Sequence, residues 1–220
     1  MTSHAEISRA LQSRWPEHRI APSQARIRAL TDLLGDPQTG YPVIQVAGTN
    51  GKGSTAIMIE ALLLALGLRV GRIASPHLVD LTERINLDGE PMDAAAFDAL
   101  VSDVQPLVDL VDAQELDGVR MTFFEVMTGL AFEAFAQAPS DVAVVEVGLG
   151  GTWDATSVAN AQVAVMCPID LDHTHLLGTT LEEIATEKAG IIKPGSIVVS
   201  AAQQPEARAV VAARAADVGA

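Results

Sequence analysis

The segment Gly48-Thr49-Asn50-Gly51-Lys52-Gly53-Ser54-Thr55 combines glycines, one lysine and hydroxyl groups in a pattern typical of a phosphate-binding loop. It follows a predicted strand and opens a predicted helix, the context in which backbone N–H groups bind phosphate. Lys52 would neutralise the outer phosphates, and the hydroxyl of Ser54 or Thr55 would reach phosphate or Mg²⁺. The spacing departs from the standard G-x-x-x-x-G-K-[ST] pattern, so a simple tight turn is the alternative. The strand–loop–helix order favours phosphate binding.

Lysine is rare in this sequence, which uses arginine for most of its positive charges. The three lysines are Lys52, Lys188 and Lys193, and each lies within two residues of a glycine. Randomly placed surface lysines would be scattered. We therefore interpret Lys52 as a phosphate ligand and Lys188 as a site candidate, and Lys193 as a turn residue before Pro194-Gly195.

Three predicted strand ends carry groups that bind metal ions: Ser75-Pro76-His77, Glu146, and the segment from Asp170 to His175. In open α/β sheets, ligands gather beyond the carboxyl ends of the strands. Glu146 is the strongest candidate, because a glutamate at the end of an apolar strand is costly to bury unless it is paired or metal-bound. Oxygen donors of this kind suit Mg²⁺. His173 and His175 leave a zinc site or an ordinary polar loop open as alternatives.

Strands and helices alternate along the chain, which predicts an α/β domain with a mostly parallel sheet flanked by helices. Asp88-Gly89 predicts a turn between short strand-like pieces within 79–91. The run 142–147 is almost entirely apolar, as in a parallel sheet covered on both faces. Strands are predicted at 43–47, 69–74, 142–147, 162–167 and 196–200, and helices at 54–66 (with Gly67 as a C-cap), 94–111, 122–137, 181–189 and 205–217.

Composition and charge exclude several classes of partner. The chain has 220 residues, is 49% hydrophobic and carries a net charge of −14, which repels nucleic acid and anionic lipid. Five arginines precede residue 29 (Arg9, Arg14, Arg19, Arg26 and Arg28), a pattern that favours one or two solvated basic helices over a binding arm. Met1 to Ile20 contains no apolar core of a signal peptide, and the apolar run from Ala56 to Leu68 is too short to span a bilayer.

Cys167 is the single cysteine and lies in a valine-rich stretch. One cysteine cannot form an internal disulfide, so a reducing cytoplasm is expected. We predict a buried core residue rather than a nucleophile.

Taken in order, these motifs resemble the folylpolyglutamate synthase/dihydrofolate synthase family, a branch of the Mur ligase superfamily. The departure of the phosphate loop from the standard pattern is that family's own form. The resemblance runs from about Ile20 to Gly195. It is carried by the loop and by Ser75-Pro76-His77-Leu78, Glu83-Arg84-Ile85, Thr122-Phe123-Phe124-Glu125, Glu146-Val147-Gly148-Leu149-Gly150-Gly151, Asp154-Ala155-Thr156, Leu171-Asp172-His173 and the segment from Glu187 to Gly195.

The resemblance implies a P-loop NTPase-like fold of the Mur ligase central-domain type. It also implies ATP-dependent ligation of L-glutamate to dihydropteroate or folate through an acyl phosphate. ATP and Mg²⁺ are then the cofactors, and the full-length enzyme is a cytoplasmic monomer. By similarity, Thr49, Asn50, Gly51, Lys52, Gly53, Ser54 and Thr55 bind the ATP phosphates, Ser75, Glu146 and His173 hold Mg²⁺, and Thr122, Phe124, Asp154 and Ala155 lie at the pterin pocket. Lys52, His173 and Lys188 are the catalytic candidates by the same similarity, and the family's counterpart of Lys188 is carbamylated.

Family members are roughly twice as long as this sequence. The resemblance therefore implies that residues 1–220 form an incomplete ATP-binding domain and that the C-terminal glutamate-binding domain is absent. Two alternatives stay open at this point. One is a cell-wall Mur ligase. It is disfavoured by two motifs of the folate branch, the Thr-Asn-Gly-Lys-Gly-Ser loop and Ser75-Pro76-His77-Leu78. The other is a non-catalytic nucleotide-binding fragment.

Overall fold

A computed structural model describes residues 3–15 and 21–220 of the chain. Predictions that concern Arg19 and the start of the resemblance at Ile20 lie outside these residues. Within them, seven strands form one mixed sheet, and the helices pack on both of its faces. The predicted α/β class with a mostly parallel sheet is confirmed.

The strands are β1 (Val43–Ala47), β2 (Val70–Ile73), β3 (Ile85–Leu87), β4 (Glu90–Pro91), β5 (Val142–Glu146), β6 (Val163–Met166) and β7 (Ile197–Ser200). The α-helices are α1 (His4–Gln12), α2 (Ala25–Leu33), α3 (Lys52–Ala65), α4 (Ala94–Asp112), α5 (Phe123–Gln137), α6 (Thr174–Leu177), α7 (Leu181–Lys188) and α8 (Pro205–Val218). Short 3-10 helices cover Pro37–Thr39, Leu81–Arg84, Leu116–Gly118, Ala155–Val158 and Ala189–Ile191.

The strand order is β4-β3-β2-β5-β1-β6-β7. The five neighbouring strands β2, β5, β1, β6 and β7 run parallel, and β3 and β4 add an antiparallel hairpin at one edge. Asp88 and Gly89 form the hairpin turn with positive φ, as the sequence predicts. Because parallel strands end at the same edge, the segments after β1, β2, β5 and β6 all emerge on one side of the sheet.

The two faces of the sheet are covered unequally. Alternating residues of β1 and β5, such as Val43 and Val145, face a large core built with α1, α2, α4 and α5. At the other end of that face, α7 and α8 pack on Ala164 and Met166 of β6. The opposite face carries a smaller cluster around Val46 and Val144, and in the described chain α3 is the one helix that packs on it.

Two local features differ from the sequence-based expectation. The helix α3 begins at Lys52 and not at Ser54, because Gly51 adopts a left-handed conformation (φ 81°) and ends the loop there. The histidine-rich segment from Asp170 to His175, for which a polar loop was one alternative, is non-helical up to His173 and enters the short helix α6 at Thr174.

Arg26 is a further departure, since it is buried at 1% exposure although the basic N-terminal helices were predicted to be solvated. Cys167 is buried and free, as predicted. Lys193 accepts hydrogen bonds from Ser196 in the predicted turn. In the described residues no helix has the length and apolar character needed to cross a membrane.

Candidate active site

A cavity of about 450 Å³ opens where the carboxyl ends of the parallel strands meet. Its walls come from the segments after β1, β2, β5 and β6, from the N-terminus of α5 and from the residues that precede α2. It brings together residues that the sequence assigned to phosphate, metal and substrate: Lys52, Ser75, Thr122, Phe124, Glu146, Asp154, Ala155 and His173.

The phosphate loop is fixed to the segment that follows β6. Gly48 has φ 151° and lies so close to Cys167 that a Cβ would come within 2.5 Å of the Cys167 Cβ, so only glycine fits there. The N–H groups of Thr49 and Asn50 both donate to the Pro168 carbonyl, at 2.9 and 3.2 Å. The Thr49 hydroxyl contacts the backbone of Asp170. These bonds hold the loop, so the first turn of α3 is left as the anion-binding part.

The first turn of α3 presents the N–H groups of Lys52, Gly53 and Ser54, which have no acceptor within the helix because the helix starts there. Ser54 is exposed, whereas the Thr55 hydroxyl lies 3.3 Å from the Cys167 sulfur. Of the two hydroxyls, that of Ser54 is therefore the more accessible.

Glu146 ends β5 as a buried carboxylate, 4% exposed, next to this first turn. A Cβ placed on Gly53 would lie 3.5 Å from a Glu146 carboxylate oxygen, an ordinary van der Waals distance that shows how near the carboxylate is to this turn. Burial raises the pKa of Glu146, and the charge of Lys52, the Ser75 N–H and Arg72 oppose that rise. A desolvated carboxylate beside a phosphate-binding turn is a donor that suits a hard cation.

The three predicted Mg²⁺ ligands line the same cavity but do not form a preformed metal cage. In the described residues no group of three or more His, Cys, Asp or Glu side chains could hold a metal. Ser75, Glu146 and His173 offer a hydroxyl, a carboxylate and an imidazole, which fits Mg²⁺ because this ion retains water and takes substrate phosphates as ligands. The zinc alternative gains no support, since in the described part of the chain His173 and His175 belong to no group of three or more His, Cys, Asp or Glu side chains that could hold a metal.

His77 is placed differently from its neighbour Ser75. Its Nδ1 accepts a hydrogen bond from Arg84 Nε at 2.8 Å, and it is not among the residues that line the cavity. The structure therefore does not support His77 as a metal ligand.

Lys188 lies behind the phosphate loop, and its Nζ donates to the Gly48 carbonyl at 3.0 Å. It is 4% exposed, and burial, with Lys52 as the second cause, lowers its pKa to about 8. Asp172, Asp154 and Glu187 oppose the shift. A buried amine with this pKa is neutral in a sizeable fraction of molecules near physiological pH, which makes it nucleophilic.

The far wall of the cavity is built at the N-terminus of α5. Thr122 caps this helix by accepting the Glu125 N–H, and Glu125 in turn accepts the Thr122 N–H at 2.7 Å. The Phe124 ring lies against Gly148, where a Cβ would come within 2.6 Å of Phe124 Cζ. The ring and Ala155 give the wall an apolar surface suited to a flat heterocycle.

Asp154 lines the cavity, but its carboxylate is already used within the chain. One oxygen accepts the Leu149 N–H at 2.9 Å, and the other accepts the N–H and the hydroxyl of Thr156. Gln45 continues this network through the Thr156 and Ser157 hydroxyls. The Asp154 carboxylate therefore holds the glycine-rich loop 148–151 in place. A direct contact of Asp154 with a substrate stays a prediction.

The wall also contains residues that were not predicted, Trp153 among them. Ala21, Pro22 and Ser23 line the cavity although no local pattern marks them. Arg26 forms a buried ion pair with Glu125, with Nε 3.0 to 3.1 Å from both carboxylate oxygens. The Thr-x-x-Glu spacing at 122–125 was a detectable signal for the capping role of Glu125, but its partner is 99 residues away along the chain.

Known proteins are similar to almost the whole of this chain. No family model matches the chain. The dihydrofolate synthase/folylpolyglutamate synthase of Mycobacterium tuberculosis is 49% identical over 224 residues, which cover 97% of this chain and 46% of the relative. The Bacillus subtilis protein of the same name is 41% identical over 193 residues, 87% of this chain and 44% of the relative.

Solved structures match over almost the whole chain. Mycobacterium tuberculosis folylpolyglutamate synthase (FPGS) complexed with ADP superposes with a TM-score of 0.92 at 48% identity, covering 98% of this chain and 48% of that one. An FPGS–AMPPCP–folate complex superposes with a TM-score of 0.93 at 41% identity, covering 99% and 53%. The chain spans about half the length of the curated relatives that it matches, and within that span it belongs to the dihydrofolate synthase/folylpolyglutamate synthase family.

Proposed function

We propose that this chain provides the ATP-, Mg²⁺- and pteroate-binding part of a ligase that joins L-glutamate to dihydropteroate, to folate, or to both. One observation carries the proposal. A single cavity is lined by Lys52 from the first turn of α3, by Phe124 and by the buried Glu146. That is the arrangement needed to bring a phosphoryl donor to a carboxyl group attached to a flat heterocycle.

The N-terminus of α3 binds the nucleotide phosphates. The N–H groups of Gly51, Lys52, Gly53 and Ser54 point at the phosphates, and the Lys52 ammonium neutralises their outer charge. Thr49 and Asn50 act by holding the loop on Pro168 and Asp170. Of the two hydroxyl candidates, Ser54 and Thr55, Thr55 is the less exposed, because its hydroxyl contacts the Cys167 sulfur.

Ser75, Glu146 and His173 would hold Mg²⁺ at the same end of the cavity. When bound, this ion neutralises phosphate charge and orients the transferred group. The relatives include structures with ADP and with AMPPCP, which supports ATP as the cosubstrate here.

The pteroate ring system lies on Phe124, between Thr122 and Ala155, with Asp154 shaping the loop that closes the pocket. Its carboxylate then reaches toward the α3 N-terminus. The carboxylate oxygen attacks the terminal phosphorus of ATP, and ADP leaves. The glutamate amine next attacks the carbonyl carbon of the acyl phosphate, an amide bond forms, and inorganic phosphate leaves with the bonding electrons. The chain's contribution is chiefly positioning and charge neutralisation.

Lys188 supports this site from behind the loop. Its neutral form would accept CO₂ to become a carbamate, which replaces a cation with an anionic oxygen donor. The pKa of about 8 and the enclosure of Nζ support this chemistry.

We further propose that residues 1–220 constitute an ATP-binding domain that is not complete by itself, and that glutamate contacts come from the additional length found in the relatives. The half-length match also favours a second candidate for the chain alone, a nucleotide-binding module without turnover. The partners are small molecules, since a net charge of −14 disfavours nucleic acid. The single, free and buried Cys167 fits a reducing cytoplasm. We propose a monomer for the full-length enzyme, by similarity to the family.

The test is calorimetric titration of the chain with MgATP and then with dihydropteroate, repeated on Lys52→Ala. Arg208→Ala is the matched control, because Arg208 is an exposed cation on α8, outside the residues that line the cavity. We expect both ligands to bind the wild-type chain and the control, and ATP affinity to fall about tenfold or more in Lys52→Ala. Normal ATP binding by a folded Lys52→Ala variant would overturn the phosphate-loop assignment.

Turnover separates the two candidates. Adding the remaining part of a relative in trans, with L-glutamate, should produce ADP and an extended folate if the chain is part of a ligase. MgATP binding with no product under these conditions supports the non-catalytic module.

A further inference from the structure

Gln203, which lies between β7 and α8, holds the backbone of the segment that follows β6. Its Oε1 accepts the Ile169 N–H at 2.9 Å, and its Nε2 donates to the Cys167 carbonyl at 3.0 Å. Nε2 also lies 3.3 Å from the Met166 carbonyl. Gln203 is not among the residues that line the cavity. Its side chain therefore acts on the backbone on both sides of Pro168 and not on the cavity itself.

Pro168 is the acceptor on which the phosphate loop is fixed. Its carbonyl accepts the N–H groups of both Thr49 and Asn50, at 2.9 and 3.2 Å. Proline has no N–H of its own, so the chain can hold this residue only through its carbonyl and through its two neighbours. The Gln203 amide bonds to both neighbours. The position of the Pro168 carbonyl, and with it the position of the loop, therefore depends on Gln203.

The partners of Gln203 leave one orientation for its amide group. The Ile169 N–H is a donor and needs the amide oxygen, whereas the Cys167 carbonyl is an acceptor and needs the amide nitrogen. Both residues are 3% exposed, so water is a poor substitute for the amide. A glutamate has nearly the same shape and keeps the acceptor for Ile169, but as a carboxylate it cannot donate to Cys167.

The other backbone bonds of this segment join it to the loop itself. The Cys167 N–H donates to the Ala47 carbonyl at 2.7 Å, and the Asp170 N–H donates to the Thr49 hydroxyl at 3.0 Å. These bonds fasten the two segments to each other. Gln203 anchors the pair to the connection between β7 and α8.

We propose that Gln203 is a positioning residue for nucleotide binding. It fixes the Pro168 carbonyl, this carbonyl holds the phosphate loop, and the loop sets where the first turn of α3 meets the nucleotide phosphates. The proposal rests on the proposed function, because it assigns Gln203 to the support of the same phosphate site. Gln203 acts through Pro168 and makes no contact with the nucleotide.

The experiment compares Gln203→Glu and Gln203→Met with the wild-type chain. Calorimetric titrations measure the affinities for MgATP and, separately, for dihydropteroate, and amide hydrogen exchange measures the protection of Thr49 and Asn50. Methionine has a similar length and removes every hydrogen bond of the amide. Gln204→Glu is the matched control, because it makes the same change at the adjacent, exposed position, whose side chain does not cap α8. Circular dichroism checks that each variant folds.

We expect the MgATP affinity to fall about three- to tenfold in both Gln203 variants, as for the loss of one or two hydrogen bonds. The dihydropteroate affinity and the exchange of the α5 amides should stay unchanged, because α5 lies at the other wall of the cavity. The Thr49 and Asn50 amides should exchange faster, and Gln204→Glu should match the wild-type chain in every measurement.

Wild-type MgATP affinity in both folded Gln203 variants would overturn the proposal. Equal weakening of both ligands, together with faster exchange in α5, would also overturn it, because the variant would then loosen the whole domain. If the wild-type chain binds no MgATP, the proposed function fails and hydrogen exchange still decides the role of Gln203. Faster exchange confined to Thr49 and Asn50 then supports the positioning role, and unchanged exchange refutes it.

Discussion

Replacing Lys188 with methionine tests whether its amine is as desolvated as the structure shows. Methionine has nearly the same length and no charge, so it fills the space behind the phosphate loop. The folded-state pKa of Lys188 is lowered to about 8 from an ordinary value of 10.5. Between these two values the unfolded chain keeps a proton that the folded chain has lost. The stability of the wild-type chain should therefore rise with pH in this window relative to Lys188→Met.

The size of the effect follows from the two pKa values. Below pH 8 the folded protein bears the full cost of burying the ammonium, about 3 kcal/mol. Between pH 7 and pH 10 about 2.5 kcal/mol of this cost disappears, since the folded amine loses its proton first. Both the protonated and the neutral amine can donate the hydrogen bond from Nζ to the Gly48 carbonyl. Its loss in the variant therefore changes the unfolding free energy by the same amount at every pH and does not change the pH dependence.

The assay is urea unfolding at pH 7, 8, 9 and 10 in buffers free of CO₂. The difference in unfolding free energy between the wild-type chain and Lys188→Met removes the contribution of other titrating groups. Arg208→Met should give a flat difference, because arginine does not titrate in this range. A flat difference for Lys188→Met as well would refute the reasoning. In bicarbonate, native mass spectrometry should find one added CO₂ on the wild-type chain and none on Lys188→Met.

Three further predictions follow from the site. Glu146→Gln should weaken nucleotide binding about tenfold or more in Mg²⁺ and little without metal, because it removes an anionic donor and leaves the α3 N-terminus intact; calorimetry in the presence and absence of Mg²⁺ measures both. Gly148→Ala should abolish dihydropteroate binding while costing about 1–3 kcal/mol of stability, because its Cβ displaces the Phe124 ring; titration and urea unfolding measure the two effects. Arg26→Met should destabilise the chain by about 3–5 kcal/mol, because Glu125 is left as a buried unpaired charge, and thermal and urea unfolding report this loss.

Each of these three variants has its own control or contradicting outcome. Equal weakening of nucleotide binding with and without Mg²⁺ would remove Glu146 from the metal site. Gly40→Ala introduces a Cβ at an ordinary van der Waals distance of 3.4 Å from the Pro37 carbonyl and should leave dihydropteroate binding unchanged. The double variant Arg26→Met/Glu125→Gln should recover part of the lost stability, since neither partner then remains charged. No recovery would contradict the ion-pair explanation.

Local sequence patterns were sufficient for the strands, most helices and the position of the phosphate loop. Apolar runs such as 142–147 occur because a strand covered on both faces contacts other side chains everywhere along its length. The boundary of α3 was wrong by two residues, since the left-handed Gly51 ends the loop and helix propensity favours a later start. The four-residue helix α6 was missed because so short a segment has too little periodicity to detect.

Roles were harder to predict than positions. From the sequence, the Asp154 carboxylate could bind a substrate or accept hydrogen bonds from the backbone. Only the fold shows that its two oxygens accept hydrogen bonds from Leu149 and Thr156. Arg26 belongs to a basic segment that appears solvated in the sequence, yet it is buried because its partner Glu125 comes from a distant helix. Such pairs depend on contacts between remote segments, which no local window contains.

The sequence by itself determined which chemical groups this protein has and which edge of the sheet they occupy. Lys52, Ser75 and His173 follow predicted parallel strands and Glu146 lies at the end of one, and the carboxyl ends of such strands must meet. The tertiary structure decided how those groups are used. It buried Lys188 against the Gly48 carbonyl, lowered its pKa and placed Phe124 on Gly148. Burial and mutual distance depend on the packing of every element together, so they appear only when the chain is folded.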